Sequence, residues 1–289
     1  MIHESLGESA LEVAERLSLS ACAEGGWRRP ATEQGSPIAC TLRLLDAASA
    51  LGWRRRDAHA AWCWHAGTAA VFEVFDPGAA VAKHRLGVGA NTDAPAAPVS
   101  IVPPYAWHRV APTEGWCLLS EIVSPGAKAA DAEVAPRSWA PGAPDPRFSP
   151  LLSRAISELR AESGSIHLLL DDGLLHLICA QAIPDPVLSL VRRVPVGKGM
   201  AGHAVERRGP VTACNIQTDQ SGDVRPGARA TGMEGAIVVP IFDERDGAVG
   251  ALGVANRAAR TFTPEETVRL IDLGRDVAKA RLGRDAARR

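Results

Sequence analysis

Residues 230–257 read ATGMEGAIVVPIFDERDGAVGALGVANR. Within them Ala236, Ile237, Val238 and Val239 form an unbroken apolar run. Successive strand residues point to opposite faces, so a strand with this run is apolar on both sides and needs cover on each. A second apolar segment, Ala248–Ala255, is reached through Arg245-Asp246-Gly247, a turn signal. Gly250 and Gly253 inside it mark a bulge or the close approach of a neighbouring element. The stretch is therefore expected to be a covered central hairpin, Gly235–Phe242 with Ala248–Ala255.

Working outward, the pattern keeps alternating. A helix is expected from Pro150 to about Ala161, then strands Ser165–Leu170 and Leu174–Ala182 joined across Asp171-Asp172-Gly173. VGKGMAGHAVERRGPV at 196–211 opens a helix near Met200 and leads into a strand at Val211–Asn215. FTPEE at 262–266 is a helix start with a capping box: Thr263 as N-cap, Pro264 at N1 and Glu266 at N3. Val268, Leu270, Ile271, Leu273 and Val277 then give that helix a broad apolar face. An antiparallel sheet flanked by helices is an α+β architecture.

This ordered set resembles a GAF domain over roughly residues 150–285. The residues that carry the likeness are Gly197, Gly199 and Gly202, then Pro210-Val211, Val239-Pro240, Gly247, Gly250, Gly253, Asn256, Phe262 and Glu266. The resemblance implies a sensory or regulatory ligand pocket, often in a dimer joined through the first and last helices. Asn256-Arg257 with Phe262 and Glu266 also partly matches a motif of cyclic-nucleotide-binding members, where a Lys–Asp pair ties down a loop. Arg257 and Glu266 would be the equivalent pair here, although plain scaffold is the preferred reading. Gly197-Lys198-Gly199 is no phosphate loop, because the GxxxxGK[ST] spacing and its Ser/Thr are missing.

The first half has a different character. All seven tryptophans and the single tyrosine, Tyr105, precede residue 140. After a short helix at Ser9–Leu17, apolar segments at Ile38–Leu45, Ala69–Phe75, Ala80–Leu86, Pro98–Val102 and Trp116–Val123 are split by turn residues such as Asp76-Pro77-Gly78. Ala94–Pro98 reads as a loop. Short strands with Gly and Pro between them imply a sandwich or barrel. Pro136, Pro141, Pro144, Pro146 and Pro150 then make a stiff extended linker. The expected domains are 1–134, a linker at 135–149, and 150–289.

Over about residues 10–128 this half resembles a family of cupin-like proteins of poorly defined function, an all-β barrel. The matching residues are Leu17, Leu19, Glu24-Gly25-Gly26-Trp27-Arg28-Arg29, Trp62, Trp64, Gly67, Leu86-Gly87, Val102-Pro103, Trp107 and Val123-Ser124-Pro125-Gly126. Two departures bear on chemistry. Where the family carries a His this chain has Arg54, followed by Arg55, and its acidic position is Ala60. Cupin metal sites gather two or three His and a carboxylate, and a guanidinium stays protonated and cannot ligate. The barrel is therefore expected to lack a tightly bound metal and to suit an anionic small molecule. The candidate ligand-binding residues are Arg54, Trp62, Trp64, Tyr105, Trp107 and His108. Trp62 and Trp64 share one strand face, the expected interior, while Cys63 and His65 share the other. His59, His65, His84 and His108 lie in or near strands. The run Trp53-Arg54-Arg55-Arg56 has two readings, an anion or carboxylate clamp beside aromatic walls and a solvated strand edge; the edge is preferred, Arg54 excepted.

Composition narrows the function classes. With 32 basic and 33 acidic side chains, no global field favours nucleic acid or an anionic membrane. Arg281, Arg284, Arg288 and Arg289 read as a solvated helix end. Glu4, Glu8, Glu12 and Glu15 argue against a signal peptide, no apolar run spans a bilayer, and six scattered cysteines argue against a disulfide framework. The expectation is a cytoplasmic sensory or regulatory protein pairing a cupin-like pocket with a GAF pocket. The first and last helices of the second half, with Leu151, Leu152, Ile156 and Leu159 on the first, would pair in a homodimer. The alternatives are an enzyme, isomerase or metal-dependent oxidoreductase, with its catalytic barrel regulated by the GAF half, and a binding module of a larger complex. No cofactor signature and no catalytic triad is legible.

Overall fold

The computed structural model describes residues 7–33, 36–77, 79–88, 96–124 and 132–281. The chain divides chiefly between Pro141 and Gly142 into two compact units.

The first unit opens with helix α1 (Ala10–Arg16), started by a capping box between Ser9 and Glu12. Strands β1 (Ser20–Ala21), β2 (Trp27–Pro30), β3 (Ala39–Asp46), β4 (Leu51–Arg55), β5 (His59–Gly67) and β6 (Ala70–Phe75) come next. Then come β7 (Ala82–Leu86), β8 (Ala96–Ala97), β9 (Val99–Val102), β10 (Trp107–Pro112), β11 (Trp116–Ser124) and β12 (Glu133–Val134). They form two six-stranded sheets, in the orders β1-β2-β3-β11-β5-β9 and β12-β4-β10-β6-β7-β8. Between the sheets lies an apolar core that includes Leu45, Leu51, Trp62, Phe72, Val110 and Leu119. The outer face of the first sheet is covered by Val13 and Ala14 of α1, which pack on Leu44, Ala66 and Trp116. The outer face of the second sheet carries Trp53 and Trp107, covered by Ala135 and Trp139.

Several expectations change here. The Trp53–Arg56 run is no solvated edge: its four residues are buried, and β4 lies between β12 and β10. Ala96 and Ala97 form a short strand on β7 rather than a loop, while Ala94 lies outside the described residues. The proline-rich segment is not wholly an extended linker, because its Ala135 and Trp139 pack onto the barrel. β6 and β7 pair antiparallel as their turn signal predicts, although Gly78 of that turn is outside the described residues. So are Glu4, Pro125, Gly126, Arg284, Arg288 and Arg289.

The second unit contains α2 (Ser149–Glu158), β13 (Ser163–Leu169), β14 (Leu174–Gln181), α3 (Asp185–Val191), β15 (Arg193–Pro195) and α4 (Gly199–Arg207). It continues with β16 (Val211–Ala213), a 3-10 turn at Pro226–Thr231, β17 (Gly235–Phe242), β18 (Ala248–Asn256) and α5 (Pro264–Arg281). Its antiparallel sheet has the order β15-β14-β13-β18-β17-β16. The central hairpin is covered on both faces, as its apolar run requires. Val238 packs into a cluster with Ala201 and Val205 of α4. Ile241, on the opposite face, lies beneath Gly274 of α5. The α5 capping box forms: the Thr263 N–H donates to Glu266 Oε2 at 2.9 Å, and the Glu266 N–H donates to Thr263 Oγ1 at 3.2 Å.

Candidate functional site

The interior of the barrel holds charged side chains. β10 pairs with β4 so that His108 lies opposite Arg54 and Val110 opposite Leu51. One strand takes two steps while the other takes three. This bulge turns Trp53 outward and Arg54 inward, which strict alternation from Leu51 would not do. On β11, Glu121 lies opposite Trp62 of β5 and Thr41 of β3. Arg43 is two residues beyond Thr41, on the same face.

These residues meet. Glu121 is 2% exposed and accepts from Arg43 Nε on one oxygen and Arg56 Nε on the other, each at 2.8 Å. Arg54 is fully buried and donates from Nη1 to Glu24 Oε2 at 2.9 Å. The same Glu24 oxygen lies 3.5 Å from Arg43 Nη2. Glu24 is held there by the turn that precedes β2. Gly26 has φ +64°, and a Cβ on it would lie 2.2 Å from the Leu44 carbonyl oxygen, so only glycine lets the turn press against β3. The Glu-Gly-Gly-aromatic signature thus delivers a carboxylate to the buried arginines.

Burial opposes ionisation of Glu121, but Arg43, Arg56 and Arg54 outweigh it and hold the carboxyl at about 2. Burial also pushes His108 down, to about 3, against the pull of Glu121, so its imidazole is neutral at ordinary pH. The Ala106 backbone is close enough to favour the protonated ring, yet neither ring nitrogen makes a hydrogen bond of good geometry. Burial lowers the Arg54 pKa too, with Arg43 adding to it, and Glu121 and Glu24 oppose the change.

Polar atoms are left over in this interior. Arg54 Nε and Nη2, Trp62 Nε1 and both nitrogens of His108 are buried with no hydrogen-bond partner. They belong to neighbouring groups: the Trp62 and His108 rings are 5.7 Å apart, and Phe72 stacks on His108 at 5.9 Å. Leaving such atoms unpaired in a protein costs about 1–3 kcal/mol each, more for a charged group.

The expected site residues are therefore split. Arg54, Trp62 and His108 come together. Trp64 packs at the edge of the same core, but its Nε1 donates to the Thr68 carbonyl at 3.1 Å. Trp107 is on the opposite face of its sheet, 4.5 Å from the Trp139 ring with the Arg55 guanidinium 4.3 Å above it, so it does not line the interior. Tyr105 is buried at φ +63° in the turn before β10, where its N–H donates to the Arg56 carbonyl. His65 is exposed and bonds Ser120 Oγ, Cys63 is half-buried on that same outer face, and His59 is exposed. His84 bonds Ser100 Oγ at 2.9 Å. Glu24, Arg43 and Glu121 are site residues that the sequence reading does not single out, and Arg56 enters it only through the clamp reading of the Trp53–Arg56 run. The available signal was a lone charge inside each of two apolar runs, TLRLL and LLSEIV.

This donor set does not suit a divalent cation. Among the described residues no three His, Cys, Asp or Glu side chains gather around one point. Glu121 already accepts from two guanidiniums, and the Arg54 charge stands opposite His108.

In the second unit, Met200, Val224 and Ala228 pack on Ile216, Met233 and Ala236, filling the space between the sheet and the 3-10 turn. The Arg257–Glu266 pair does not form. Glu266 pairs instead with Arg260, and the Arg257 N–H donates to Glu162 at 3.1 Å. Arg260 lies over the Phe262 ring, which brings its guanidinium within reach of the first turn of α5. A groove of about 170 Å³ lies between the β17–β18 turn and α5. Asp243 in its wall is engaged by the N–H groups of Arg245 and Gly247.

Two sheets enclosing a side-chain-filled interior, followed by a helix-flanked antiparallel sheet, define a cupin-like unit joined to a GAF unit. The family comparisons agree. Residues 11–135 match the Cupin superfamily (DUF985) model and residues 148–280 match the GAF domain model. No curated protein matches the chain. Among solved structures, a protein of Shewanella oneidensis is 23% identical, covering 44% of this chain and 85% of its own at a TM-score of 0.40. The GAF domain of a phosphoenolpyruvate-protein phosphotransferase from Coxiella burnetii is 22% identical, covering 49% and 88% at 0.39. A domain of a two-component sensor histidine kinase protein from Sinorhizobium meliloti is 14% identical, covering 47% and 89% at 0.39. The presence of both domains fits a small-molecule-binding regulatory role. Among the described residues no helix is long and apolar enough to cross a membrane.

Proposed function

We propose that this chain is a cytoplasmic regulatory protein whose barrel interior binds a small anionic molecule and whose GAF unit is a second small-molecule module. One observation carries the reading: Arg54 is fully buried, charged, and bonded at only one of its three nitrogens. Its counter-charge is a half-buried carboxylate, Glu24, that also faces Arg43. A buried guanidinium so placed gains from an anion far more than an exposed one would. Six free cysteines are in keeping with a reducing compartment, and the near-balanced charge gives no reason to invoke nucleic acid or a membrane surface.

The test is thermal unfolding followed by tryptophan emission, which reports the barrel because every tryptophan precedes residue 140. A panel of small anions is compared with neutral analogues. A ligand at about 100 times its dissociation constant adds about 2.7 kcal/mol, and Arg54→Ala should abolish the shift. A panel in which no anion moves the transition would refute the reading.

We extend the proposal to a homodimer through α5. Leu152 of α2 and Leu159 at its C-terminal cap cannot serve it, since they are 0% and 1% exposed inside their own unit. Val268, 58% exposed, with the half-buried Ile271, remains as an apolar spot on α5. Light scattering at micromolar concentration should give twice the chain mass, and Val268→Glu should halve it. A monomer in the unaltered protein would dispose of the dimer.

A further inference from the structure

We infer that the barrel's ligand is a small monocarboxylate bearing a hydroxyl on the neighbouring carbon, seated on the Nε–Nη2 edge of Arg54. This rests on the anion-binding reading and specifies its chemistry. The donors of Arg54 that are already taken set the shape of what remains. Nη1 is on Glu24, while Nε and Nη2 have no partner. Those two nitrogens form the side edge of the guanidinium fork, from which two N–H groups point the same way. That edge matches the two oxygens of a planar carboxylate through parallel hydrogen bonds. A halide or a single water meets only part of it.

The remaining unpaired atoms refine the ligand. Trp62 Nε1 is a donor only. His108, neutral in this surrounding, offers one N–H and one bare nitrogen, whichever tautomer it takes. A carboxylate alone supplies acceptors and leaves the bare nitrogen of His108 without a donor. An adjacent hydroxyl supplies that donor, and its oxygen accepts from Trp62 or from the imidazole. His108 lies directly across from Arg54 in the β10–β4 pairing, and the Trp62 ring is 5.7 Å from it. Both are therefore within reach of one small molecule. Phe72, 6.0 Å from Trp62 and 5.9 Å from His108, gives the site an apolar wall. A second negative charge on the ligand would face Glu121, whose oxygens are already committed to Arg43 and Arg56. The site accordingly takes a monoanion.

The experiment is calorimetric titration of the full chain with lactate, propionate and sulfate, repeated with Arg54→Lys and Trp62→Phe. Lactate should bind one per chain. Propionate, which lacks the hydroxyl, should bind about 10-fold more weakly, the effect of one lost hydrogen bond in a dry site. Sulfate should not compete. Arg54→Lys keeps the charge and loses the fork, so lactate affinity should fall at least about 10-fold. Trp62→Phe keeps the apolar wall and removes one N–H, for a loss of about 3- to 10-fold. If Arg54→Lys fails to fold, as judged by its tryptophan emission, Trp62→Phe still decides the site. Equal binding of propionate and lactate would overturn the hydroxyl assignment. Sulfate binding without carboxylate binding would overturn this inference and leave the anion reading standing. Binding by none of the three, together with a flat anion panel, would end both.

Discussion

Glu121 sits between two guanidiniums in the middle of a barrel, and the balance it keeps is testable by a change of one atom type. Glu121→Gln preserves shape and removes the negative charge that Arg43 and Arg56 share. Removing one member of a buried ion pair costs about 3–5 kcal/mol. Urea titration followed by tryptophan emission should show that loss; one below about 1 kcal/mol would mean that water already reaches the arginines. The buried histidines make a second residue-level prediction. His108 is held at about 3 and His167 at about 4, in each case by burial, while an unfolded imidazole titrates near 6.5. Between those values the unfolded chain binds a proton that the folded chain does not. Stability must therefore fall as pH drops from about 6.5, by as much as about 1.4 kcal/mol per pH unit for each ring. Glu121 adds a further loss as pH drops from about 4.5 toward 2. Urea midpoints that stay level from pH 7 to pH 5 would show that these rings are hydrated.

At the scale of single elements, β18 makes the sharpest prediction. A Cβ on Gly250 would lie 2.3 Å from the His167 carbonyl oxygen of β13, so Gly250→Ala must push two paired strands apart. A destabilisation of about 1–3 kcal/mol is expected, read by circular dichroism because the second unit has no tryptophan. An unchanged melting curve would mean that the strands shift freely. Thr263→Ala should cost about 1 kcal/mol by removing the α5 cap. The hairpin around Gly250 was legible because one apolar run and two glycines fix both its burial and its neighbours. β4 and β10 were not legible as interior strands: the Trp53–Arg56 run reads as a solvated strand edge, yet Arg54 and His108 are fully buried. Their sequences, LGWRR and WHRVAP, carry charges that read as solvent-facing. Only the pairing partner shows that Glu24 and Glu133 receive two of those charges. The bulge that directs Arg54 inward and the face taken by Trp107 depend on that pairing as well. A resemblance that matched residue positions therefore pointed alike to Arg54, which lies inside the barrel, and to Trp107, which does not.

For the whole molecule, the informative segment is the one between the two units. Ala135 and Trp139 are buried on the barrel, and Asp145 and Phe148 are buried in the second unit, whereas Ala140 and Gly142–Pro144 are at least partly exposed. Limited proteolysis should first cut within residues 140–144 rather than anywhere across the proline-rich stretch. The products would be two fragments of about half the chain each, and first cuts inside either unit would contradict this division. Trp139 gives that border a meaning for the history of the gene. It is wedged against Trp53 and Trp107, at 6.0 and 4.5 Å. A recombination joint falling anywhere before codon 139 would strip the cover from both rings and hand the neighbouring gene a barrel with a bare aromatic face. A joint between codons 141 and 145 would leave each module whole. Selection on newly spliced genes would keep the second kind of joint, so a barrel of this type should travel between partners together with its tryptophan tail.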